Sequence, residues 1–227
     1  RGLGDVYKRQ THELGPIAKL LDINRGNRIM TVSSFASKSA GLSEYIKTRV
    51  DATDEMKAAN FAQGDIITTV LTCARGETIL LRLDTTLPRS YSRDFTVRGT
   101  KGLYMQDTNS VFLDGDEEAF EPVKYYAKAL NNAVKFEDEY LPDIWKSVTE
   151  EMLKAGHGGM DWFAYMGFTN ALINGEEMPI DVYDAATWQA VAVLSEMSIK
   201  QGGAPQIMPD FTNGKWFKRP RKDVCRL

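Results

Sequence analysis

Two runs rich in β-branched residues flank a short turn in DIITTVLTCARGETILLRLD, residues 65–84. The turn, Ala74–Glu77, contains a glycine, and both runs are rich in Ile, Val, Thr and Leu. This pattern predicts an antiparallel hairpin. In the second run Ile79, Leu81 and Leu83 recur with period two, so they share one face of a strand. One side of the predicted sheet is therefore buried.

Further short strands are predicted before and after the hairpin. Residues 28–37, RIMTVSSFAS, are rich in β-branched residues and predict a strand before the hairpin. Residues 94–115 contain three short runs separated by turns at Gly99–Gly102 and Asp107–Ser110. About six strands with short connections predict an antiparallel arrangement.

Helical patterns stand before and after the strands. Helices are predicted from Thr11 with a stop at Gly26, across Tyr125–Lys154 in pieces broken at Pro142, across Asp161–Asn174 up to Gly175, and across Asp181–Lys200. In the last helix Asp181 is the predicted N-cap, and the predicted apolar face carries Val182, Ala186, Ala190, Val193 and Met197. The order of elements predicts an α+β fold, an open and largely antiparallel sheet with helices on one face.

Charge and composition argue against several partners. A net charge of −3 gives no basic footprint, so we expect no nucleic-acid partner. The basic residues near the end, Lys215–Lys222, are interpreted as a solvated tail. The apolar runs are too short to span a membrane, and we expect no membrane partner. Cys73 and Cys225 cannot form a zinc site by themselves, and the sequence has neither a P-loop nor a GxGxxG motif.

Two histidines and one polar turn are the candidate functional residues. His12 stands at the N-terminal end of the first predicted helix, where the helix dipole favours the neutral imidazole. His157 precedes two glycines and Asp161 at a loop-to-helix junction, where backbone amides and an ionisable ring can converge on a ligand. The run LPRSYSRDF carries Arg89 and Tyr91, whose planar and hydroxyl donors suit sugar hydroxyls or an amide. A plainer interpretation stays open for each: satisfied or surface histidines, and a solvated turn.

Longer stretches of the chain resemble one enzyme family. THELGPIAKLLDINRG, GDIITTVLTCARGETILLRLDTTLPRSYSR, RGTKGLY, HGGMD, PIDVYDAATWQAVAVLSEMSIKQGG and PDFTNGKW occur in order between Thr11 and Trp216. Together they resemble the C-terminal half of glycoside hydrolase family 109, the NAD-dependent α-N-acetylgalactosaminidase branch of the Gfo/Idh/MocA oxidoreductases. The resemblance implies a substrate and oligomerisation domain over residues 11–227. An N-terminal Rossmann domain that binds NAD would be missing, and the chain alone would be inactive.

The first ten residues do not follow this resemblance. DVYKRQ, residues 5–10, is similar to one reading frame of a transposase end sequence used in preparing sequencing libraries. Arg1–Gln10 is therefore interpreted as adapter-derived. The family has a Tyr-Pro-Thr-His run at this point, and the chain keeps Thr11 and His12 but has Arg9 and Gln10 in place of Tyr and Pro.

The family resemblance also implies a reaction. NAD⁺ oxidises C3 of an N-acetylgalactosaminide, the C2 proton becomes acidic, the aglycone is eliminated, and water and hydride are then returned. NAD-dependent glycosidases do not use a pair of catalytic carboxylates, which fits the reading of Glu137–Glu139 as a solvated face. The resemblance implies that His12 contacts the substrate and transfers protons, that Thr11 and Tyr91 contact the substrate, and that Arg89, His157 and Asp161 belong to the pocket.

Two other functions stay open at this point. A related NAD(P)-dependent sugar dehydrogenase would release oxidised sugar, and a non-catalytic module would only bind carbohydrate or form dimers. The resemblance also implies a homo-oligomer formed through the open sheet. It leaves two locations open, the periplasm by way of a twin-arginine signal and the cytoplasm.

Overall fold

The computed structural model describes residues 4–84, 86–115 and 127–222, and within these it describes side chains from His12 onward. The segment Arg1–Gln10 thus lies outside the described side chains. Its assignment to an adapter, and the domain boundary that follows it, stay predictions.

The chain divides into two compact units, each of which is described by itself. The core unit comprises Arg1–Arg89 and Glu177–Lys222, and the inserted unit comprises Ser90–Glu176. In sequence, the inserted unit therefore lies between the hairpin and the last long helix.

The described elements follow in chain order. The core unit begins with α1 (Gly4–Leu20), β1 (Ile29–Ala36), α2 (Gly41–Lys47), α3 (Asp54–Ala58), β2 (Ile66–Cys73) and β3 (Thr78–Asp84). The inserted unit has β4 (Thr96–Arg98), β5 (Gly102–Met105), β6 (Ser110–Leu113), a 3₁₀ turn (Asn132–Phe136), α4 (Glu137–Tyr140), α5 (Asp143–Lys146), α6 (Glu150–Lys154), a second 3₁₀ turn (His157–Gly159) and α7 (Met160–Asn174). The core unit resumes with α8 (Val182–Lys200), β7 (Gln206–Ile207) and a 3₁₀ turn (Lys215–Phe217).

The predicted hairpin is confirmed and lies in a four-stranded sheet. The strand order is β3-β2-β1-β7, and all of these pairings are antiparallel. Gly76 closes the turn with a φ of +97°, a conformation that favours glycine. Ile79, Leu81 and Leu83 are all buried, as their period predicts.

Helices cover one face of this sheet. α1 contacts β3, and α8 contacts β1, β7 and α1. The hydrophobic core between these layers consists of Leu14, Ala18, Ile23, Ile29, Val32, Leu71, Cys73, Ile79, Leu81, Trp188, Val191, Leu194 and Met208. Apolar burial of this kind is the main favourable contribution to folding. The opposite face exposes Phe35, Leu80 and Ile207. The predicted α+β fold, with an open antiparallel sheet, is confirmed.

The prediction for the buried face of the last helix is wrong at three of its five residues, whereas Ala190 packs against the core as predicted. Val182, Val193 and Met197 are exposed. The buried residues of α8 are instead Asp184, Thr187, Trp188, Val191, Ala192, Leu194, Ser195 and Ser198. These also follow helical spacing, but half of them are polar, so a search for apolar residues alone selects the wrong side.

Hydroxyl groups explain why this polar face is buried. Ser195 Oγ lies 2.7 Å from Ser34 Oγ on β1 and 3.0 Å from Thr69 Oγ1 on β2, and the two sheet hydroxyls are 2.8 Å apart. The backbone N–H of Ser34 donates to Ser198 Oγ at 2.9 Å. A ring of three hydroxyls gives each group a donor and an acceptor, which removes the cost of burying them. The ring therefore fixes how α8 sits on the sheet.

An ionic cluster joins the N-terminus of α8 to the end of α1. The buried carboxylate of Asp184 accepts from Lys19 Nζ at 2.7 Å and from Arg25 Nη1 at 3.0 Å. Arg25 Nη2 also donates to Asp181 Oδ2 at 2.9 Å. Asp181 and Asp184 form a capping box at the start of the helix. The cluster therefore closes the helix end and satisfies the buried Arg25 and the partly buried Lys19 together.

The basic C-terminal residues are not simply a solvated tail. The Arg219 guanidinium pairs with Asp181 and lies 4.8 Å from the centre of the Tyr183 ring, a cation–π contact. Arg221 Nε lies 3.0 Å from Asp22 Oδ1. Burial opposes ionisation of Asp181, but the hydrogen bonds and charges of Arg219 and Arg25 outweigh it and hold the pKa of Asp181 below its usual value. This carboxylate thus stabilises the fold above its unfolded-state pKa and ceases to do so as pH falls through the folded value.

The inserted unit contains the predicted three-stranded meander. β4, β5 and β6 pair antiparallel in chain order, as predicted. The edge of β6 is covered by Asn132, whose side-chain amide accepts from the backbone N–H of Val111 at 2.7 Å and donates to its carbonyl at 2.8 Å. One side chain thus satisfies backbone groups that an edge strand leaves open.

The helical part of the inserted unit matches the sequence pattern in outline. Short helices lie on either side of Pro142, as predicted; the predicted start at Tyr125 lies outside the described residues. α7 ends at Gly175, whose φ of +68° and N–H bond to the Leu172 carbonyl stop the helix. None of the described helices is both long and apolar enough to cross a membrane.

The buried ionic cluster predicts a large effect of one substitution. Asp184→Ala is expected to lower the free energy of unfolding by about 3 to 5 kcal/mol, because Lys19 and Arg25 then lose a buried partner. The matched control is Asp143→Ala, since that carboxylate is fully exposed and its ion pair lies at the surface; we expect a change within about 1 kcal/mol. Denaturant unfolding measures both. Equal losses for the two variants would contradict the role of the cluster.

The buried thiol of Cys73 predicts chemical inertness. Burial, with a smaller contribution from the Glu77 carboxylate, raises the pKa of Cys73 to about 11. Because the thiolate is the reactive form, a Cys225→Ser variant, which leaves Cys73 as the single thiol of the chain, should resist alkylation at pH 8 until it is unfolded. Mass spectrometry after alkylation with and without denaturant tests this. Rapid labelling of the native protein would show that Cys73 is accessible.

Candidate functional site

His12 lies exposed on α1, just before the point where that helix is held against the core. Leu14 is fully buried, and a Cβ placed on Gly15 would lie 3.5 Å from the Trp188 ring of α8. α1 therefore packs directly against the Trp188 indole at this position. Pro16 follows within the helix and has no N–H to donate to the His12 carbonyl. These contacts fix the helix that presents His12, whereas the side chain of Thr11 lies outside the described residues.

Arg89 closes the loop at the end of β3. Its Nε and Nη2 donate to the Asp84 carbonyl at 3.3 and 3.0 Å, and the Leu87 N–H donates to Asp84 Oδ1 at 3.3 Å. The guanidinium fork of Arg89 thus caps a strand end. Its predicted contact with substrate stays a prediction.

Asp65 holds the same loop through a second set of hydrogen bonds. Its carboxylate accepts from the backbone N–H groups of Ala40 and Gly41, both at 2.9 Å, and from Thr86 Oγ1 at 2.9 Å. Burial opposes ionisation, but these hydrogen bonds outweigh it and hold the pKa of Asp65 below its usual value. Asp65 thereby joins the start of α2 to the loop that leads to Arg89. The sequence does not single out Asp65, because one acid before a strand resembles any turn residue.

Tyr91 lies in the inserted unit on an exposed polar turn. Its side chain is 80% exposed, and its hydroxyl accepts from Arg93 Nε at 3.4 Å. The next residue, Ser92, donates to the Asp107 carboxylate at 2.6 Å and accepts from the Asp94 N–H at 2.7 Å. The turn is therefore internally ordered around Ser92, and the Tyr91 ring stands out from it.

His157 and Asp161 are the two predicted site residues that the structure brings into contact. His157 Nδ1 lies 3.0 and 2.9 Å from the two Asp161 carboxylate oxygens. Because an ionised carboxylate can only accept, Nδ1 carries the proton in the neutral ring, and Nε2 is the acceptor. The dyad is exposed at the start of α7.

The backbone around this dyad explains the glycines of GHGGMD. Gly156, His157, Gly158 and Gly159 all have positive φ, at 89°, 46°, 65° and 94°. Three glycines adopt this conformation without strain, whereas His157 adopts it at a cost. A Cβ on Gly156 would lie 2.4 Å from Asp161 Oδ2. Gly156 is therefore required for the carboxylate to reach the imidazole.

The candidate residues are divided between the two units. His12 and Arg89 belong to the core unit, whereas Tyr91, His157 and Asp161 belong to the inserted unit. Among the described residues, no three His, Cys, Asp or Glu side chains come together as a metal site requires.

The described residues do not fit a dinucleotide by themselves. All pairings between the named strands are antiparallel, so the described part forms no parallel βαβ unit of the kind that presents a pyrophosphate-binding turn. A dinucleotide would therefore need other residues to hold its pyrophosphate.

Comparison with known protein families identifies the family of this chain. The family profile described as "Glycosyl hydrolase 109, C-terminal domain" matches residues 2–218. The chain belongs to glycoside hydrolase family 109. The predicted resemblance is thereby confirmed at the level of the family.

Curated relatives agree with the family 109 assignment. A glycosyl hydrolase family 109 protein of Stenotrophomonas maltophilia is 42% identical over 217 residues, covering 95% of this chain and 46% of the relative. An α-N-acetylgalactosaminidase of Tannerella forsythia is 39% identical, covering 95% and 44%. An α-N-acetylgalactosaminidase of Shewanella oneidensis is 34% identical, covering 94% and 45%. The chain thus spans slightly less than half the length of these family 109 relatives.

The dyad of this family 109 domain predicts one tautomer. Neutral His157 should carry its proton on Nδ1, because Asp161 accepts it there, whereas the Nε2–H tautomer should become the major neutral form in Asp161→Ala. Nitrogen-15 NMR of the imidazole distinguishes the two forms. An Nε2–H tautomer in the unsubstituted protein would contradict the dyad. Asp143→Ala serves as the control, since its fully exposed carboxylate pairs at the surface with Lys146.

Proposed function

We propose that the protein containing this chain is an NAD-dependent glycosidase that hydrolyses α-N-acetylgalactosaminides. Membership of family 109 supports a glycoside hydrolase. The observation that carries the choice of sugar is that two relatives named α-N-acetylgalactosaminidase align with about 95% of this chain. In this proposal, the residues of this chain supply the groups that contact the substrate.

We assign proton transfer to His12. An imidazole can accept and return a proton near neutral pH, and it is the side chain most often used for this purpose. His12 is exposed, while buried Leu14 and the Trp188 contact at Gly15 hold the following turn of α1. Such support limits the movement of a group that must meet one particular substrate atom. Thr11 is assigned a substrate contact beside it.

We assign substrate binding to the other candidates. The exposed Tyr91 hydroxyl can donate to a sugar oxygen, and Arg89 is held at the strand end two residues earlier. His157, with Nε2 directed away from Asp161, offers an acceptor for a sugar hydroxyl. Asp161 acts through His157 by fixing its ring.

NAD, when bound, would supply the transient oxidation at C3 of the sugar that makes the C2 proton acidic. We assign its binding to a part of the protein outside residues 1–227. The residues of this chain are assigned only to the sugar and its protons.

The proposal predicts unequal effects of two substitutions in the full-length protein with NAD. His12→Ala should lower turnover of an aryl α-N-acetylgalactosaminide by about 10²- to 10⁴-fold, the usual contribution of a positioned acid or base. Tyr91→Phe should chiefly weaken substrate binding, by about 0.5 to 1.5 kcal/mol for one hydrogen bond. Steady-state kinetics with both variants measures the difference. Full turnover by His12→Ala would remove His12 from the mechanism.

The reaction products separate this proposal from its alternatives. Hydrolysis in D₂O should place deuterium at C2 of the released sugar, because the C2 proton is removed and exchanges before water adds. A sugar dehydrogenase would instead accumulate oxidised sugar with reduced cofactor, and a binding module would bind the sugar without turnover. Hydrolysis without deuterium at C2 would contradict the elimination route while leaving the glycosidase activity intact.

A further inference from the structure

The loop that follows β3, residues 86–89, is closed onto the end of its own strand. The Arg89 guanidinium donates to the Asp84 carbonyl at 3.0 Å, and the Leu87 N–H donates to the Asp84 carboxylate at 3.3 Å. These contacts give the loop its shape. Its position against the neighbouring α2 depends on a contact from another part of the chain.

Asp65 supplies a contact of this kind. It comes directly before β2, whose first residue, Ile66, pairs with Asp84, so it lies beside the start of the loop. Asp65 is only 6% exposed, and its Oδ1 accepts from both the Gly41 N–H and Thr86 Oγ1, each at 2.9 Å. A single carboxylate oxygen thus ties the first turn of α2 to the loop.

The loop also packs closely against α2 at this point. A Cβ on Gly41 would lie 2.9 Å from Leu87 Cδ2 and 3.0 Å from Thr86 Oγ1. Both distances are shorter than an ordinary contact between carbon or oxygen atoms that are not bonded, so a larger residue at position 41 would push the loop outward. The packing at Gly41 and the hydrogen bond from Thr86 to Asp65 therefore hold the same part of the loop.

We propose that Asp65 is a positioning residue for sugar binding, which acts through Thr86 to hold Arg89 where it meets the substrate. This inference rests on the proposed function, in which Arg89 contacts the sugar. Thr86 stands three residues before Arg89, and the contacts with Asp84 carry the position of the loop to the guanidinium. A binding group that is held in place before the ligand arrives loses less conformational entropy on binding. Asp65 thus raises the affinity for the sugar without touching it.

The test uses two substitutions of Thr86 in the full-length protein with NAD. Thr86→Val keeps the shape of the side chain but removes the donor to Asp65. We expect its KM for an aryl α-N-acetylgalactosaminide to rise by about 2- to 10-fold, the usual cost of ordering one long side chain on binding. Its kcat should be unchanged, because only binding is weakened. Thr86→Ser keeps the donor and should have the KM of the unsubstituted protein.

A matched control and a double substitution separate positioning from a general effect on the fold. Thr48→Val makes the same change at the exposed end of α2, where the hydroxyl donates to the Tyr45 carbonyl at 2.8 Å, and KM should stay the same. In an Arg89→Ala background, Thr86→Val should raise KM no further, because residues that act as a unit have effects that do not add. A denaturant curve for each variant shows that the comparison concerns folded proteins.

Other kinetic results overturn the inference. An unchanged KM in Thr86→Val or in Arg89→Ala, an equal rise in Thr86→Ser, or a rise that persists in full in the Arg89→Ala background would remove Asp65 from sugar binding. Hydrogen exchange of the Leu87 amide gives a readout that needs no activity, and it should be faster in Thr86→Val than in Thr86→Ser. Absence of hydrolysis by the unsubstituted protein would contradict the proposed function, whereas equal exchange rates in the two variants would contradict the positioning role alone.

Discussion

The buried carboxylate of Asp184 is the contact on which the core unit depends. Lys19 at the end of α1 and Arg25 in the following loop both donate to it, and it also caps α8. A buried charge is tolerated only when its partners satisfy it fully, so the two helices cannot separate without exposing or orphaning three charges. The position of α1, and therefore of His12 on it, follows from this contact.

Further contacts hold α8 against the sheet and against α1. Ser195 meets Ser34 and Thr69 across the layer between α8 and the sheet, which selects one rotation of the helix. The Trp188 ring lies against α1 at Gly15, within one turn of His12. α8 thus contacts both the sheet and α1, the helix that carries His12.

The fold could be predicted where a local residue pattern by itself determines a buried face or the end of an element. Period two in Ile79, Leu81 and Leu83 gave the buried face of β3, and Gly175 gave the end of α7. The buried side of α8 was not predictable from apolar residues, because Asp184 and Ser195 are buried through partners from distant parts of the chain. Similarly, the candidates His157 and Asp161 could be chosen from sequence, whereas their hydrogen bond depends on the left-handed backbone at Gly156. Asp65 acts through three-dimensional contacts that leave no local signal.

The role proposed for His12 of this family 109 domain is the transfer of protons to and from the sugar. A crystal structure of the full-length protein with NAD and N-acetylgalactosamine bound would test this role. We expect a ring nitrogen of His12 within about 3.2 Å of a reacting atom of the sugar or of one bridging water, the reach that acid–base catalysis requires. A sugar seated in a site that His12 does not reach, directly or through one water, would contradict it.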